Sequence, residues 1–256
     1  METRLKVILS EIERRDSVTV NELSNLLGVS AVTIRSDLEE LSRMGRIHRT
    51  RGGATRPLLE RFDGNFELPL EETRRQLPRE KRRIGQAAAA LIQDGETVFL
   101  DVGSTATEVA RHISPALQGV TVVTNSLNIA LELEALPNLT IIVTGGTLRR
   151  LQHSLVNPLG LELLRDVHAD RLFLGCNGVS VQAGVTNRNL PEAEIKRQMV
   201  TNSREVYVLA DHSKLGVTSS AAIAPLDRVT RLITDRAANP QEIGCLEAAG
   251  LDVLCV

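Results

Sequence analysis

Residues 17–54 read SVTVNELSNLLGVSAVTIRSDLEELSRMGRIHRTRGGA, and their pattern predicts the fold of the first part of the chain. Thr19 followed three residues later by Glu22 fits a capping box, which predicts the start of a helix. The apolar residues that follow recur at helical spacing and predict a buried stripe. The members of this stripe are Val20, Leu23, Leu26 and Leu27.

A second helix is predicted directly after a tight turn at Gly28-Val29. Ser30 is a suitable N-cap, and the helix is expected to run from Ala31 to about Arg43. Before the quoted stretch, apolar residues from Leu5 to Ile12 predict an amphipathic first helix, and after it the chain is expected to form a strand that turns back at Gly52-Gly53. Three short helices and a hairpin are typical of a winged helix-turn-helix. The inward side chains predicted for the third helix are Ile34, Leu38 and Leu41.

The second helix of such a motif lies in the major groove of DNA, where its first side chains reach the base edges. Arg35 can hold a guanine through two hydrogen bonds, and arginines in the hairpin can neutralise phosphates. A solvated helix face is the alternative, but the arginine-rich hairpin favours DNA binding. Asp37 is predicted to be exposed on the same helix. The predicted DNA-binding residues are Ser30, Ala31, Thr33, Arg35, Ser36, Arg49, Arg51, Gly52 and Gly53.

The charge distribution agrees with a double-stranded DNA partner. The formal net charge is −2, but the segment from Arg43 to Arg61 holds six arginines and one acid, Glu60. The chain has four Phe, one Tyr and no Trp, so base stacking on aromatic platforms is not expected. These observations argue against a single-stranded nucleic-acid binder.

From Glu80 onward, apolar strands alternate with helical stretches, which predicts a mostly parallel sheet covered on both faces. The fold class is therefore α/β, with a winged helix-turn-helix over 1–57, a linker over 58–79 and a second domain over 80–256. The predicted strands are Thr97–Asp101, Val120–Thr124, Thr140–Thr144, Arg171–Cys176, Glu205–Ala210, Leu232–Thr234 and Asp252–Val256.

Three polar loops follow the first three of these strands. They are the segments 101–107, 124–126 and 144–147, rich in Gly, Ser and Thr. The carboxyl ends of parallel strands meet at one edge, where ligands bind, so the loops are expected to converge on one pocket. Backbone amides at a helix start suit an anion such as phosphate. An ordinary capped turn is the alternative for any single loop.

The quoted N-terminal stretch resembles the DeoR family of bacterial repressors of sugar metabolism. The matching core runs from Leu23 to Leu38 and the matching wing from Gly45 to Ala54, but Ser36 stands where the family usually has a second basic residue. The segments EKRRIGQAAAALI, TGGTLRR, GVTNRNLPEAEIKRQMV and VLADHSKLG are similar to the C-terminal sensor domain of that family.

The resemblance implies that the second domain binds a small phosphorylated sugar and shares its fold with ribose-5-phosphate isomerase and CoA-transferases. It places the phosphate on the loop Gly103-Ser104-Thr105. For Lys196 an exposed ion pair with Glu192 is the alternative, and Lys214 could be a plain surface lysine. The predicted effector-binding residues are Asp101, Gly103, Ser104, Thr105, Thr107, Thr124, Asn125, Gly145, Gly146, Asn177, Gly178, Glu192, Lys196 and Lys214.

Two other function classes compete with this interpretation. A sugar-phosphate isomerase or deaminase needs acid-base carboxylates, yet the segment Cys176-Asn177-Gly178-Val179 has none where the isomerases carry an acidic cluster. Glu192 keeps this alternative open, although we expect no enzyme and no catalytic residue. The third class is a constitutive DNA-architectural protein whose second domain only forms a dimer.

The remaining residues predict neither a metal site nor a cofactor. Three cysteines and five scattered histidines, among them His212, lack metal-ligand spacing. Charges throughout residues 1–20 argue against a signal peptide, and no apolar run is long enough to cross a membrane. We expect a cytoplasmic homodimer or homotetramer, because helix-turn-helix proteins bind paired half-sites.

Overall fold

The computed structural model describes residues 2–15, 17–43, 46–50, 52–55 and 67–256, and the chain divides after Glu67 into two compact units. We call residues 1–67 the N-terminal unit and residues 68–256 the C-terminal unit. The elements of the N-terminal unit are α1 (Glu2–Arg15), β1 (Ser17–Thr19), α2 (Val20–Leu27), α3 (Ala31–Arg43), β2 (His48–Thr50) and β3 (Gly53–Thr55).

The N-terminal unit is the predicted arrangement of three helices and a hairpin, with one addition. Strand β1 pairs with β3 and makes a three-stranded antiparallel sheet in the order β1-β3-β2. The capping box is confirmed, since the Glu22 amide donates to Thr19 Oγ1 at 3.2 Å and the Thr19 amide donates to Glu22 Oε2 at 2.7 Å. The core contains the predicted inward residues Ile8, Ile12, Leu23, Ile34, Leu38 and Leu41.

The predicted buried stripe of α2 is wrong at one position. Leu26 is 53% exposed, whereas Val20 and Leu23 are buried and Leu27 packs against the core. With about 3.6 residues per turn, Leu26 lies beyond the edge of the stripe that Val20, Leu23 and Leu27 share. It therefore faces away from the core.

The C-terminal unit is an α/β structure built on one large sheet. Its elements are α4 (Leu70–Arg75), α5 (Pro78–Ala89), β4 (Thr97–Leu100), α6 (Ser104–His112), β5 (Thr121–Thr124), α7 (Leu127–Leu133), β6 (Thr140–Val143), β7 (Thr147–Arg149), β8 (Ser154–Val156), α8 (Pro158–Asp166), β9 (Ala169–Gly175), β10 (Gly178–Ser180), β11 (Gly184–Asn187), α9 (Leu190–Thr201), β12 (Ser203–Leu209), β13 (Ala221–Ala224), β14 (Arg231–Thr234), α10 (Pro240–Ala248) and β15 (Val253–Cys255).

The large sheet has seven strands in the order β15-β14-β12-β9-β4-β5-β6, and every neighbouring pair is parallel. All seven predicted strands are confirmed. Alternate side chains enter different cores, as Val98 and Leu100 face α5, α6 and α7 while Phe99 joins the core under α8, α9 and α10. The sheet is thus covered on both faces, and the carboxyl ends of its strands share one edge.

The short antiparallel elements were not predicted. Strands β7 and β8 pair as a two-stranded ribbon, and β10, β11 and β13 form a small second sheet. Among the described residues, no helix combines the length and the apolar character needed to cross a membrane.

The predicted linker over 58–79 is too long at its carboxyl end. Residues 68–79 belong to the C-terminal unit, because Leu70 is buried and its amide donates to the carbonyl of Leu151 at 3.0 Å. The side-chain amide of Gln152 also donates to the carbonyl of Leu68 at 2.5 Å. The predicted boundary at residue 80 is therefore about a dozen residues late.

Candidate functional site

Helix α3 carries the predicted DNA-reading side chains. Its start is fixed by Gly28, which ends α2 with a positive φ of 64°, and by Ser30, whose hydroxyl accepts from the Thr33 amide at 3.2 Å. Arg35 and Ser36 are exposed, as reading a groove requires, while Ala31 and Thr33 are half-buried. Their contacts with DNA stay predictions.

Asp37, predicted to be exposed, is instead buried. Its side chain is 5% exposed and accepts two hydrogen bonds from the Arg4 guanidinium, at 2.5 and 2.8 Å. The carboxylate raises the pKa of Arg4 through this hydrogen bond. A paired guanidinium makes burial of the charge tolerable, so Asp37 ties α3 to α1 and is not part of the solvated face.

The hairpin places Arg49 against the reading helix. The Arg49 guanidinium donates to the carbonyl of Arg35 at 3.3 Å, and Gly52 takes a φ of 98° in the turn. Gly53 is buried, and a Cβ there would collide with the carbonyl oxygen of Val18, so its glycine is required by the sheet. The predicted DNA contact of Arg51 lies outside the described residues.

In the C-terminal unit, two buried charges meet at the carboxyl edge of the large sheet. Asp101 follows β4, and its Oδ2 pairs with Lys196 Nζ of α9 and accepts from the Gly175 amide at 3.0 Å. Lys196 Nζ also donates to the carbonyl of Gly175 at 2.9 Å. Burial alone would lower the pKa of Lys196, but Asp101 and Glu192 raise it above its usual value. The lysine stays charged.

The first two predicted loops are joined by Asn125. Its Oδ1 accepts from the Val102 amide at 3.0 Å, so the segment after β5 holds the segment after β4. Asp101 Oδ1 and Asn125 Nδ2 are buried and have no hydrogen-bond partner among the described residues. Such buried polar atoms are costly unless a ligand or water completes them. An unpartnered acceptor and an unpartnered donor thus lie on two loops that the hydrogen bond between Val102 and Asn125 joins.

Helix α6 begins beside these atoms at Gly103, which has a φ of 142°. Ser104, Thr105 and Thr107 are buried, and the Thr107 hydroxyl donates to the carbonyl of Gly103 at 2.9 Å. The start of this nine-residue helix therefore presents backbone amides and hydroxyls at the sheet edge. This is suitable chemistry for an oxyanion.

The third loop and the segment after β9 contribute mainly backbone. Gly145 and Gly146 have positive φ, and a Cβ at Gly146 would collide with the carbonyl oxygen of Val156. A Cβ at Gly178 would likewise collide with the carbonyl oxygen of Val217. Asn177 Oδ1 accepts from the Arg188 amide at 2.9 Å. These residues shape the loops. Thr124 also does so, because its hydroxyl accepts a hydrogen bond from the Ser126 amide at 3.1 Å.

Glu192 does not form an exposed pair with Lys196. Its buried carboxylate is bound by Arg149 of β7, by the Ser154 hydroxyl at 2.5 Å and by Asn187 Nδ2 at 3.3 Å. The exposed-pair interpretation is wrong because α9 is covered on this face by β8 and β11. Arg149 was not predicted as a site residue, although it lies in the TGGTLRR segment.

The segment after β12 adds another charged group to the same edge. Lys214 is half-buried in a 3₁₀ turn (His212–Lys214) that the Asp211 carboxylate caps. His212 Nδ1 lies 2.9 Å from Asp235 Oδ2, and the His212 amide donates to Asp235 Oδ1 at 2.8 Å. The His212 side chain is thus paired with the Asp235 carboxylate. Within the described ranges, no group of three or more His, Cys, Asp and Glu could hold a metal ion.

Two nearby side chains, those of Cys176 and Lys81, have shifted pKa values. Burial raises the pKa of the Cys176 thiol to about 12, so this cysteine is protonated and unreactive at neutral pH. Burial lowers the pKa of Lys81 on α5, with Asp211 opposing this effect and Lys214 adding to it. Lys81 was not predicted as a site residue; the segment EKRRIG that contains it was the available signal.

Comparison with known proteins gives matches over both units. A family model described as DeoR-like helix-turn-helix domain matches residues 4–58, and one described as DeoR C terminal sensor domain matches residues 77–236.

Full-length relatives include three named regulators. The HTH-type transcriptional regulator GolR of Listeria innocua is 34% identical over 250 residues, which is 98% of this chain and 96% of that protein. The HTH-type transcriptional repressor GlcR of Bacillus subtilis is 34% identical over 257 residues, covering 99% and 95%. The putative aga operon transcriptional repressor of Escherichia coli is 33% identical over 253 residues, covering 99% and 93%.

Solved structures with detectable similarity are more distant. Ribose 5-phosphate isomerase A of Methanocaldococcus jannaschii is 18% identical with a TM-score of 0.39, over 52% of each chain. The sorbitol operon regulator SorC of Klebsiella pneumoniae is 11% identical with a TM-score of 0.43, over 94% of this chain and 99% of that one.

Proposed function

The chain belongs to the DeoR family of transcriptional regulators, and we propose that it represses a sugar-catabolism operon and leaves its operator when a phosphorylated sugar binds the C-terminal unit. Two of the relatives above are named repressors, one of them of the aga operon. The N-terminal unit supplies the DNA-binding surface and the C-terminal unit supplies the sensor.

One observation carries the sensor half of this proposal: among the described residues, Asp101 Oδ1 and Asn125 Nδ2 are both buried without a hydrogen-bond partner, although Lys196 pairs with the other Asp101 oxygen. A sugar hydroxyl can donate to the first atom and accept from the second. The amides and hydroxyls at the start of α6 suit the phosphate. One ligand that carries both groups satisfies the whole edge.

The DNA half rests on exposed groups. Arg35 and Ser36 project from α3 into solvent, and Arg49 lies beside them through its bond to the carbonyl of Arg35. We expect Arg35 to read a base edge and Arg49 to contact the phosphate backbone. The protein is expected to act in the cytoplasm as a homodimer or homotetramer, so that two such surfaces meet paired half-sites.

Repression and release require linkage between the sites. The phosphorylated sugar must bind the operator-free form more tightly than the operator-bound form, since an effector without differential affinity shifts nothing. The operator must then weaken the effector affinity by the same factor.

An enzyme that converts the sugar phosphate is the second candidate, and the state of Glu192 argues against it. A general base needs a free carboxylate within reach of the substrate, but this one is held by Arg149, Ser154 and Asn187. A turnover assay with a panel of pentose and hexose phosphates should detect no interconversion. Measurable turnover would favour the enzyme.

The deciding experiment titrates sugar phosphates into the full chain bound to its operator. The operator is first obtained by selection from a random DNA library, and a thermal-shift screen of the full chain identifies stabilising sugar phosphates. A phosphorylated sugar that stabilises the chain should release the DNA in a fluorescence-anisotropy assay. If no sugar phosphate changes the DNA affinity, the protein is an architectural DNA binder and the proposal fails.

A further inference from the structure

A cavity of about 520 Å³ lies between α5 and α6 of the C-terminal unit, and we call it the α5–α6 cavity. Its volume falls within the range of roughly 300–1,000 Å³ that is usual for small-molecule sites. The predicted phosphate loop lies at the first turn of α6, whereas Arg111 and His112 lie in its last turn, about 10–12 Å further along the helix. The described residues that line the cavity include none of the predicted effector-binding residues; they are Pro78, Arg79, Arg82, Glu108, Arg111 and His112.

The wall of the cavity on α6 is held in place by side-chain contacts. Helices α5 and α6 touch at Gly85, where a Cβ would collide with Glu108. The Arg111 guanidinium donates to Glu108 Oε1 at 2.8 Å and to Glu132 Oε1 at 2.6 Å. His112 Nδ1 lies 2.8 Å from the carbonyl oxygen of Glu108. Two carboxylates therefore neutralise Arg111 and orient it at the edge of the cavity.

The cations on the α5 wall lack such partners. Arg79 and Arg82 are exposed, and neither forms an ion pair or a side-chain hydrogen bond with another described residue. Glu108 is the one acid among the described lining residues, and its carboxylate is already paired with Arg111. The cavity therefore carries an excess of positive charge, which comes from Arg79 and Arg82.

The start of α5 adds a second source of attraction for an anion. Leu77 precedes Pro78 with a φ of 49°, and within the part of the chain that the structure describes no side chain caps this twelve-residue helix. The first amides of a helix have no partner inside the helix, and the helix dipole favours negative charge there. An anion in the cavity can thus meet backbone amides as well as guanidinium groups.

We propose that the α5–α6 cavity is a second anion site, separate from the effector edge, which binds the diphosphate group of a small molecule. Arg79 and Arg82 are three residues apart, which places their Cβ atoms about 5–6 Å apart on one face of α5. Each guanidinium presents a planar fork that matches one phosphate. Two adjacent phosphates can therefore engage both side chains.

The shape of the site favours a small molecule over DNA. A concave site of this size encloses a small ligand, whereas a duplex is bound by an open patch or stripe of cations. The inference goes beyond the proposed function and does not depend on it, because the α5–α6 cavity and the effector edge are lined by different residues.

The test follows amide hydrogen exchange of the full chain while inorganic pyrophosphate is added at constant ionic strength. Saturating pyrophosphate should slow exchange at residues 79–82 at least about tenfold, since a ligand that binds the folded form protects its site. Protection at residues 101–107 reports separately on the effector edge. Orthophosphate, which has a single phosphate, should protect residues 79–82 only at a concentration about tenfold higher.

Two double variants with the same charge change assign the effect. In R79Q/R82Q the pyrophosphate affinity measured at residues 79–82 should fall roughly a hundredfold, about tenfold for each lost charge-assisted bond. The control R75Q/R83Q removes two exposed arginines of α4 and α5 that do not line the cavity, and it should bind within about threefold of the wild type. Because all four side chains are exposed, both variants should fold as the wild type does.

ADP distinguishes two sources of the diphosphate group. Tighter protection of residues 79–82 by ADP than by pyrophosphate identifies a nucleotide as the ligand, and equal or weaker protection identifies the inorganic ion. Either result supports the site.

Three results overturn it. Pyrophosphate that leaves exchange at residues 79–82 of the wild type unchanged does so, whether or not residues 101–107 are protected. An equal loss of affinity in R75Q/R83Q would show that only the general charge of this surface matters. If R79Q/R82Q binds pyrophosphate as tightly as the wild type but lowers the salt dependence of DNA binding, the two arginines contact the DNA backbone instead.

Discussion

The candidate DNA-binding and effector-binding groups of the two units use charge in opposite ways. In the N-terminal unit the candidate ligand-binding cation Arg35 is exposed, whereas in the C-terminal unit Asp101, Lys196 and Glu192 are buried and paired. Exposed cations bind an extended polyanion such as DNA and displace the counterions from its phosphates. A small ligand is met by groups that the fold has already dehydrated and oriented. The same residue types therefore differ in what they contribute to stability.

The largest expected effect comes from breaking the buried pair. Lys196→Met leaves the Asp101 carboxylate buried without its partner, which should lower the free energy of unfolding by about 3–5 kcal/mol. Replacing both residues, Lys196→Met with Asp101→Leu, should cost less than the single change. Urea unfolding of the full chain, followed by circular dichroism, measures both.

An exposed cation of the C-terminal unit provides the control. Arg204→Ala should leave the unfolding free energy within about 0.5 kcal/mol of the wild type, since a surface charge contributes little. A loss below about 1 kcal/mol for Lys196→Met would contradict the view that this pair is a sealed, low-dielectric site.

The next effect concerns the anion loop rather than the ion pair. Gly103 has a φ of 142°, where a side chain is strained, and a Cβ there would meet no atom within 4 Å, so a bulky side chain would extend into the open space at the start of α6. Gly103→Leu should weaken the effector by more than about a hundredfold, since several charge-assisted bonds are lost together. The operator affinity should remain, so the variant becomes a permanent repressor in the anisotropy assay.

Gly95→Leu is the matched control for backbone strain. Gly95 has a φ of 77° with open space around its Cα, and it lies before β4, at the opposite end of that strand from the predicted site. Normal release of DNA from Gly95→Leu, together with loss of release in Gly103→Leu, assigns the effect to the loop. An equal loss of DNA release in both variants would show that general backbone strain causes the effect.

On the exposed side of the comparison, Arg35→Ala should weaken specific operator binding by about 1–3 kcal/mol and relax the preference at one base pair. Effector binding should be unaltered. Arg204→Ala again serves as the control, because it removes an exposed arginine from the other unit. Anisotropy titrations with the selected operator and with single-base variants give the result. An Arg35→Ala protein with wild-type selectivity would show that the groove assignment is wrong.

Local sequence signals predicted the parts of each unit that local contacts determine. The capping box at Thr19 and Glu22 was visible because its partners lie three residues apart. The seven strands were visible because buried parallel strands are continuous apolar runs. By contrast, polar residues and glycine make up most of β7, β10 and β11, so no apolar run marks these strands.

The wrong expectations concern charged side chains whose partners lie far away in the sequence. Asp37 resembled a solvated residue of α3 until Arg4, 33 positions earlier, was placed against it. For Lys196, the alternative of an exposed pair with Glu192 is wrong, since its partner Asp101 is 95 residues away. The sequence predicts Asp101, Glu192 and Lys196 as effector-binding residues, which stays a prediction, and it could not show which charge neutralises which.

The smallest expected effect concerns the cap of helix α2 in the N-terminal unit. Thr19→Ala removes the side-chain cap of α2 and should destabilise this helix by about 1 kcal/mol, seen as roughly fivefold faster amide exchange over residues 22–27 in the full chain. Glu22, the reciprocal partner, has a pKa lowered by its hydrogen bonds to Thr19. Its contribution is therefore present above the usual glutamate pKa and lost as pH falls through the lower folded value. The difference in amide exchange between the wild type and Glu22→Gln should therefore shrink as the pH falls. A difference that grows on acidification would contradict the capping role.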